Sequence, residues 1–229
     1  MESIDWREAG RSLDEQGWAV LPGLLGSEAC RVASSLWEEE ARFRSRVAMA
    51  RHGFGQGEYR YFDYPLPDPV AHLRASLYPP LAEAANWWQS ALGRPQRFPE
   101  RHDDYLARCR AAGQGRPTPL LLRYGAGDYN CLHQDLYGAE AFPLQVAILL
   151  SRPGEDFAGG EFLLAEQRPR RQSRATVGPL GRGDAIVFAV SERPVEGSRG
   201  HYRTRMKHGV STIRSGERFT LGLIFHDAA

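Results

Sequence analysis

Hydrophobic and polar positions follow two rhythms along this chain, and the change between them falls near residue 115. Before it the spacing is helical. Residues 4–15 predict a short polar helix, and residues 17–25 (GWAVLPGLL) predict a strand closed by Pro22 and Gly23. Ser27 has the chemistry of an N-cap, and residues 28–43 after it carry Val32, Leu36 and Trp37 toward a core. Residues 68–93 repeat the helical pattern with Leu73, Leu77, Leu81 and Trp88. A further helix start falls at His102, where Asp103 and Asp104 suit the positive end of the helix they open. Between these helices, residues 51–67 (RHGFGQGEYRYFDYPLP) have three glycines, five aromatics and no helical period. They predict a long loop whose aromatics either cap the core or form a lid over a substrate.

After Pro117 the pattern becomes short apolar runs at 118–125, 142–151, 161–165, 174–178, 184–190, 205–212 and 218–226, with Gly and Pro between them. That spacing predicts an antiparallel sandwich or barrel. The expected fold is mainly β with N-terminal helices: a helical layer and loop, residues 1–117, on a β core, residues 118–229. At 229 residues the two layers are expected to form a single domain.

Composition narrows the function classes. With 42% hydrophobic and 25% charged residues and a net charge of +1, the chain reads as globular, without the charge excess that draws a whole protein onto nucleic acid or a membrane. Lys207 is the sole lysine among 29 cationic residues, so arginine clusters weigh less here as signs of phosphate binding. Cys30, Cys109 and Cys131 are too few and too scattered for a disulfide framework or a zinc site. Reduced thiols, no apolar leader and no run long enough to span a bilayer predict a cytoplasmic protein with no membrane partner.

The candidate chemistry centres on residues 121–135, LLRYGAGDYNCLHQD. Residues i and i+2 of a strand point the same way, so His133 and Asp135 would project together while Gln134 turns aside. Two histidines and one carboxylate on one face of a metal make the site of non-haem Fe(II) oxygenases. His208, on a strand-like alternation near the C-terminus, supplies the second imidazole. Arg218 lies ten residues further on with Gly216 between, which predicts neighbouring strands of one hairpin, and Thr220 shares the face of Arg218. Arginine presents a planar fork that matches a carboxylate, so Arg218 is a candidate anchor for a dicarboxylate that also chelates the metal. The second His-x-Asp, His102 to Asp104, is expected to lie on a helix, where that spacing separates the two side chains.

With these residues in place, residues 118–227 resemble the Fe(II)- and 2-oxoglutarate-dependent dioxygenases. RYGAG at 123–127, HQD at 133–135, GGEF at 159–162, GDAIVF at 183–188 and the HGV and GERFTLGLIF segments from His208 carry the likeness in order and spacing. The resemblance implies a double-stranded β-helix core (jelly-roll, cupin-like). It makes His133, Asp135 and His208 the iron ligands, Arg218 with Thr220 the grip on the distal carboxylate of 2-oxoglutarate, and Tyr124 a further co-substrate contact. Dioxygen is then the second co-substrate, succinate and CO2 the by-products, and a hydroxylated substrate the product. Gln145 and Ala147 would line the cavity.

The substrate stays open. The whole-chain pattern resembles a bacterial group assigned to alkylated DNA in the manner of AlkB-type demethylases, yet Leu122 and Ile224 stand where those enzymes carry Asn and a second Arg. GGEF and the residues after His208 resemble prolyl-hydroxylase-type enzymes, which carry Lys where this chain has Arg218. A nucleic-acid enzyme needs aromatic groups around an extruded base, which residues 51–67 contain, and cations for phosphates, which RPRRQSR at 168–174 contains. The competing class is a hydroxylase of a protein side chain or a small metabolite. A non-catalytic sensor of metal and 2-oxoglutarate is a third class, against which the complete ligand set argues. His201 and His226 fall near the strand ends of the site, as substrate contacts or strand caps.

Overall fold

Strands that are apolar on both faces belong in the middle of a layered structure. Leu144–Leu149 and Ala185–Ala189, buried at every position, lie there in the computed structural model, which describes residues 4–136 and 138–229. They belong to a seven-stranded antiparallel sheet in the order Trp18–Leu21, Ala185–Ala189, Leu144–Leu149, Arg218–Leu223, Leu120–Tyr124, Glu58–Phe62, Phe43–Ala48. A second antiparallel sheet runs Arg174–Gly178, Phe162–Gln167, Gly200–Val210, Tyr129–His133, Gly55–Gln56, with Glu192–Gly197 alongside Gly200–Val210. Side chains from both sheets close on one internal cavity. The seven strand runs expected after residue 117 are all present, and the mainly β expectation holds.

The helices Trp6–Gln16, Ser27–Ser35, Asp68–Ala91 and His102–Ala111 supply the layer outside the seven-stranded sheet. Asp5 starts the first by accepting hydrogen bonds from the amides of Arg7 and Glu8, and Gly17 ends it in the left-handed conformation. Leu73, Leu77, Leu81 and Trp88 are all buried, in one apolar core with Leu121, Val146, Ile148, Leu221 and Leu223 of the sheet. Each such side chain contributes about 1.5–3 kcal/mol on leaving water.

Three local expectations are corrected. Gly26, not Ser27, is the N-cap of the second helix, which ends at Ser35 and passes into 3-10 turns through Arg42. On that helix Cys30 and Ala33 are buried, and Val32, one position and about 100° round from Ala33, is 45% exposed. Residues 51–67 are not one loop: Glu58–Phe62 is a strand of the larger sheet and Gly55–Gln56 an edge of the smaller. Arg60 and Phe62 face the helical layer, where the Arg60 guanidinium sits 4.1 Å from the Trp37 ring centre, so a charged residue occupies a buried position. Finally, His208 and Arg218 are not on one hairpin. The chain leaves the smaller sheet after Val210, forms the short strand Ile213–Gly216 against Phe157–Gly159, and enters the larger sheet at Arg218.

Two buried histidines knit the helical layer to the end of the chain. The His102 Nε2 lies 2.8 Å from the Phe225 carbonyl oxygen, to which it donates, and the His226 Nδ1 accepts from the Phe142 amide at 3.1 Å. Burial first, and the charge of Arg74 second, lower both rings from 6.5 to about 4. The unfolded chain therefore takes up protons near pH 6.5 that the folded chain refuses until about pH 4. Stability present above the first pH is lost on the way to the second, by on the order of 3 kcal/mol per histidine. Unfolding measured between pH 6.5 and 5 tests this: His102→Gln, which keeps a donor for the Phe225 carbonyl, is expected to halve the slope. An equal slope in the variant would mean that His102 is not held neutral.

Candidate active site

His133 ends the strand Tyr129–His133 and stands in register with His208 on the neighbouring strand, which brings the ring centres to 4.2 Å. Asp135, just past the strand end, turns back between them: its carboxylate oxygens lie 3.4 Å from the His133 Nε2 and 3.4 Å from the His208 Nε2. Ligand atoms of all three residues lie within 4.8 Å of one another. The alternation that pairs His133 with Asp135 thus gives the right neighbours even though the strand stops between them. The His133 Nδ1–H donates to the Cys131 carbonyl at 2.8 Å, which fixes the tautomer and leaves the Nε2 lone pair facing Asp135. Phe162 and Phe188 pack around His208, with ring centres 6.1 and 4.5 Å away.

Protonation states follow from these contacts. Burial disfavours the Asp135 anion, but hydrogen bonds and charge from both imidazoles outweigh it and hold the carboxyl well below the usual range. Burial lowers His208, whereas at His133 the pull of Asp135 exceeds the cost of burial and raises the ring. Two imidazoles and an anionic carboxylate converging on one point are the donor set of a non-haem Fe(II) site, and the chain's residues fit that metal.

The floor of the cavity is the inner face of the larger sheet, and strand registers arrange it in rows. Arg218 pairs with Tyr124, Thr220 with Leu122 and through it Tyr59, and Gly222 with Leu120 and Tyr61 on one side and Ala147 on the other. All of these residues line a cavity of ≈ 220 Å³ that also takes in His133, Asp135, His208 and Gln145. Arg218 is 1% exposed. Its Nη1 donates to the Thr220 hydroxyl at 2.5 Å, its Nε has no partner among the described residues, and its charge centre lies 5.7 Å from the Tyr124 ring. Burial lowers its pKa to about 10, which leaves it a cation at neutral pH. Gly160, at φ +63, makes this burial possible: a Cβ there would stand 3.0 Å from the Arg218 side chain and 2.3 Å from Ile213. A buried guanidinium beside a hydroxyl, with a hydrogen-bonding group unmet, suits a carboxylate ligand.

Gln145 marks the other end. It pairs with Phe188, is 4% exposed, and its Nε2 has no partner among the described residues. Because Leu149 stands opposite Thr220, Gln145 and Arg218 are six residues apart along the strands, roughly 20 Å. The two buried donors without partners, at Arg218 and Gln145, thus stand toward opposite ends of the cavity floor. Tyr59 and Tyr61 stand between, ring centres 5.4 Å apart and edge to face.

Other sequence candidates lie elsewhere. His102 and His226 are structural, as described, and His201 packs its ring edge to face against Trp87 at 5.4 Å. The placement of Tyr59 and Tyr61 on the cavity floor is what sequence reasoning missed. Their alternation in EYRYF was the available signal, masked by the flanking glycines.

The fold is shared with solved 2-oxoglutarate/Fe(II) oxygenases. A prolyl-4-hydroxylase of Pseudomonas putida aligns with a TM-score of 0.59 at 14% identity over 98% of this chain and 99% of that one. A 2OG-Fe(II) oxygenase family protein of Burkholderia pseudomallei gives 0.56 at 18% identity over 100% and 94%. The fold is accordingly a double-stranded β-helix of the kind those structures share. Residues 57–228 match the model of the family Oxygenase-NA, described as an oxygenase catalysing oxidative methylation of damaged DNA, and the chain belongs to that family. It is also similar to uncharacterised proteins of two Mycobacterium tuberculosis strains, 54% identical over 168 residues, 73% of this chain and 72% of theirs. No helix among the described residues is long and apolar enough to cross a membrane.

Proposed function

We propose that this oxygenase oxidises N-methylated bases in single-stranded nucleic acid, with His133, Asp135 and His208 holding Fe(II) and Arg218, Thr220 and Tyr124 holding 2-oxoglutarate. The observation that carries the site assignment is the joint occupancy of one cavity by a two-imidazole, one-carboxylate cluster and a buried arginine with an unmet hydrogen-bonding group. Bound there, Fe(II) supplies the oxidative decarboxylation of 2-oxoglutarate by dioxygen and the coupled hydroxylation of the substrate. Every other task belongs to the chain. Asp135 offsets part of the metal charge and orients the two imidazoles. The His133 Nδ1–H bond to Cys131 keeps the opposite ring nitrogen available. Arg218 and Thr220 bind the distal carboxylate and so direct the keto-acid end of the co-substrate toward the metal ligands, while Phe162, Phe188 and Leu122 exclude water.

The nucleic-acid reading is supported by the family to which the chain belongs and by the walls of the outer cavity. Phe54, Tyr59 and Tyr61 offer the aromatic surfaces that an extruded base requires. Hydroxylation of an N-methyl carbon gives a hemiaminal that releases formaldehyde and leaves the free base. The test is succinate formation with Fe(II), 2-oxoglutarate and air, with and without N-methylated single-stranded DNA. Stimulated turnover with matching formaldehyde is expected. A stable product one oxygen heavier, formed from a protein or metabolite without formaldehyde, would move the enzyme to the hydroxylase class.

Arg218 has its own test. Arg218→Ala removes a buried charge partner for the co-substrate, and about 2–5 kcal/mol is the usual cost. The concentration of 2-oxoglutarate needed for half-maximal turnover is expected to rise about 100-fold, and an unchanged requirement would overturn the assignment.

A further inference from the structure

The strand that carries His208 inward carries cations outward. Along Gly200–Val210, Thr204, Met206 and His208 are buried, and Arg203, Arg205 and Lys207 alternate with them on the exposed face of the smaller sheet. Arg205 stands opposite Gln167, and the turn that follows Gln167 brings Arg168 and Arg170 beside it. Gln167, Arg168, Pro169, Arg170, Arg203 and Arg205 line a surface groove of ≈ 260 Å³. Two of these arginines are paired, Arg168 with Glu166 at 3.0 Å and Arg203 with Glu192 at 3.4 Å. Arg170, Arg171, Arg205 and Lys207 form no salt bridge with any described residue. Glu192, opposite Arg205, and Glu196, opposite His201, share the face of Arg203, Arg205 and Lys207, so in a chain with a net charge of +1 cations still outnumber acids there.

One hydrogen bond joins the cavity wall to the strand that bears the groove on its other face. Gln134, which lines the cavity and lies between His133 and Asp135 in sequence, donates to the Met206 carbonyl at 2.7 Å, between Arg205 and Lys207. Arg205 is three residues from His208, roughly 10 Å along the strand. At the cavity itself Phe54 remains 47% exposed, with the His52 ring stacked on it at 5.3 Å, and Leu136, next to Asp135, is 59% exposed. Cations that track a backbone, next to an aromatic surface and an apolar-walled cavity, are what a flexible polyanion with planar bases requires.

We infer that the outer face of Gly200–Val210, with the turn at 168–171, binds the phosphodiester backbone of a single-stranded nucleic acid and presents one of its nucleotides to the cavity. This inference rests on the nucleic-acid reading of the substrate and adds to it the path of the strand. The unpaired Arg170 and Arg205 provide the phosphate contacts, and neither touches the metal or co-substrate residues.

Binding of a fluorescent, unmethylated single-stranded DNA to the full chain over a range of salt tests it. With Arg170→Gln/Arg205→Gln the expected result is at least a 10-fold weaker complex at low salt. The slope of log K against log salt should shrink by about 1.4, two contacts at about 0.7 each. Arg101→Gln/Arg110→Gln, on the helix-bearing side, serves as the control and is expected to bind as the parent does. If the parent binds and the groove variant binds equally, or loses no more than the control, this face is not the track and the nucleic-acid reading stands. If the parent binds no oligonucleotide at low salt while it turns over 2-oxoglutarate, both the track and that reading fall.

Discussion

Asp135→Ala is expected to reduce 2-oxoglutarate turnover by at least about 10³-fold, equivalent to about 4 kcal/mol in the barrier. The carboxylate is the one anion between two imidazoles whose ring centres are 4.2 Å apart. In the proposed site its loss would leave Fe(II) with two neutral protein donors and no protein charge to offset its own. His208→Ala is expected to do the same by opening the other side of the cluster. Iron content measured beside succinate formation separates lost binding from lost chemistry. A variant that kept a tenth of parental turnover with one iron bound would remove Asp135 from the ligand set. His102→Ala, aimed at a ring that bonds the Phe225 carbonyl, should lower stability and leave the turnover of the folded enzyme largely intact.

The largest effect on stability is expected at Arg74. This side chain is 1% exposed and spans from the helix Asp68–Ala91 to the end of the chain. It donates to the carbonyls of Ile224 and His226 at 2.9 and 3.1 Å and to the fully buried Asp227 carboxylate at 2.8 Å. Arg74→Met keeps the length and apolar stem but strands that carboxylate without its cation, at a cost of about 3–5 kcal/mol. For a chain of this size the melting temperature should fall by roughly 6–20 °C. Arg74→Met/Asp227→Leu, with neither charge present, should recover much of the loss. A single variant within about 1 kcal/mol of the parent would mean that the Tyr64 hydroxyl, which donates to Asp227 at 2.9 Å, and water satisfy the carboxylate without Arg74. Ile224 also lines the cavity, so loss of this anchor should loosen that part of the cavity wall.

How far the sequence reveals this arrangement depends on the range of the interaction involved. Alternation places Arg218 with Thr220, and names His133 and Asp135 as neighbours although the strand ends at His133, because a strand's two-residue repeat is local. The same repeat in EYRYF is obscured, since Arg60 takes a position that pattern reading reserves for apolar residues, and only contact with the Trp37 ring shows why the site tolerates it. Whether the chain after Val210 folds back beside its own strand or crosses to the other sheet is decided by distant partners. Ile213–Gly216 pairs with Phe157–Gly159, more than fifty residues earlier, and no local period encodes that choice. The helical layer is legible wherever apolar residues recur over several turns, as along Asp68–Ala91, and less so over the short second helix, where one position separates Val32 from Ala33.

In the proposed substrate site the Gln145 amide would act through rejection as much as attraction. A guest that offers no acceptor at that depth leaves the Nε2 sealed from water with nothing to meet it, and a buried donor in that state costs about 1–3 kcal/mol. A guest of equal size with a carbonyl oxygen or ring nitrogen there avoids the cost. Selectivity at that wall would then be set by what an intruder lacks, and it would operate before any chemistry begins.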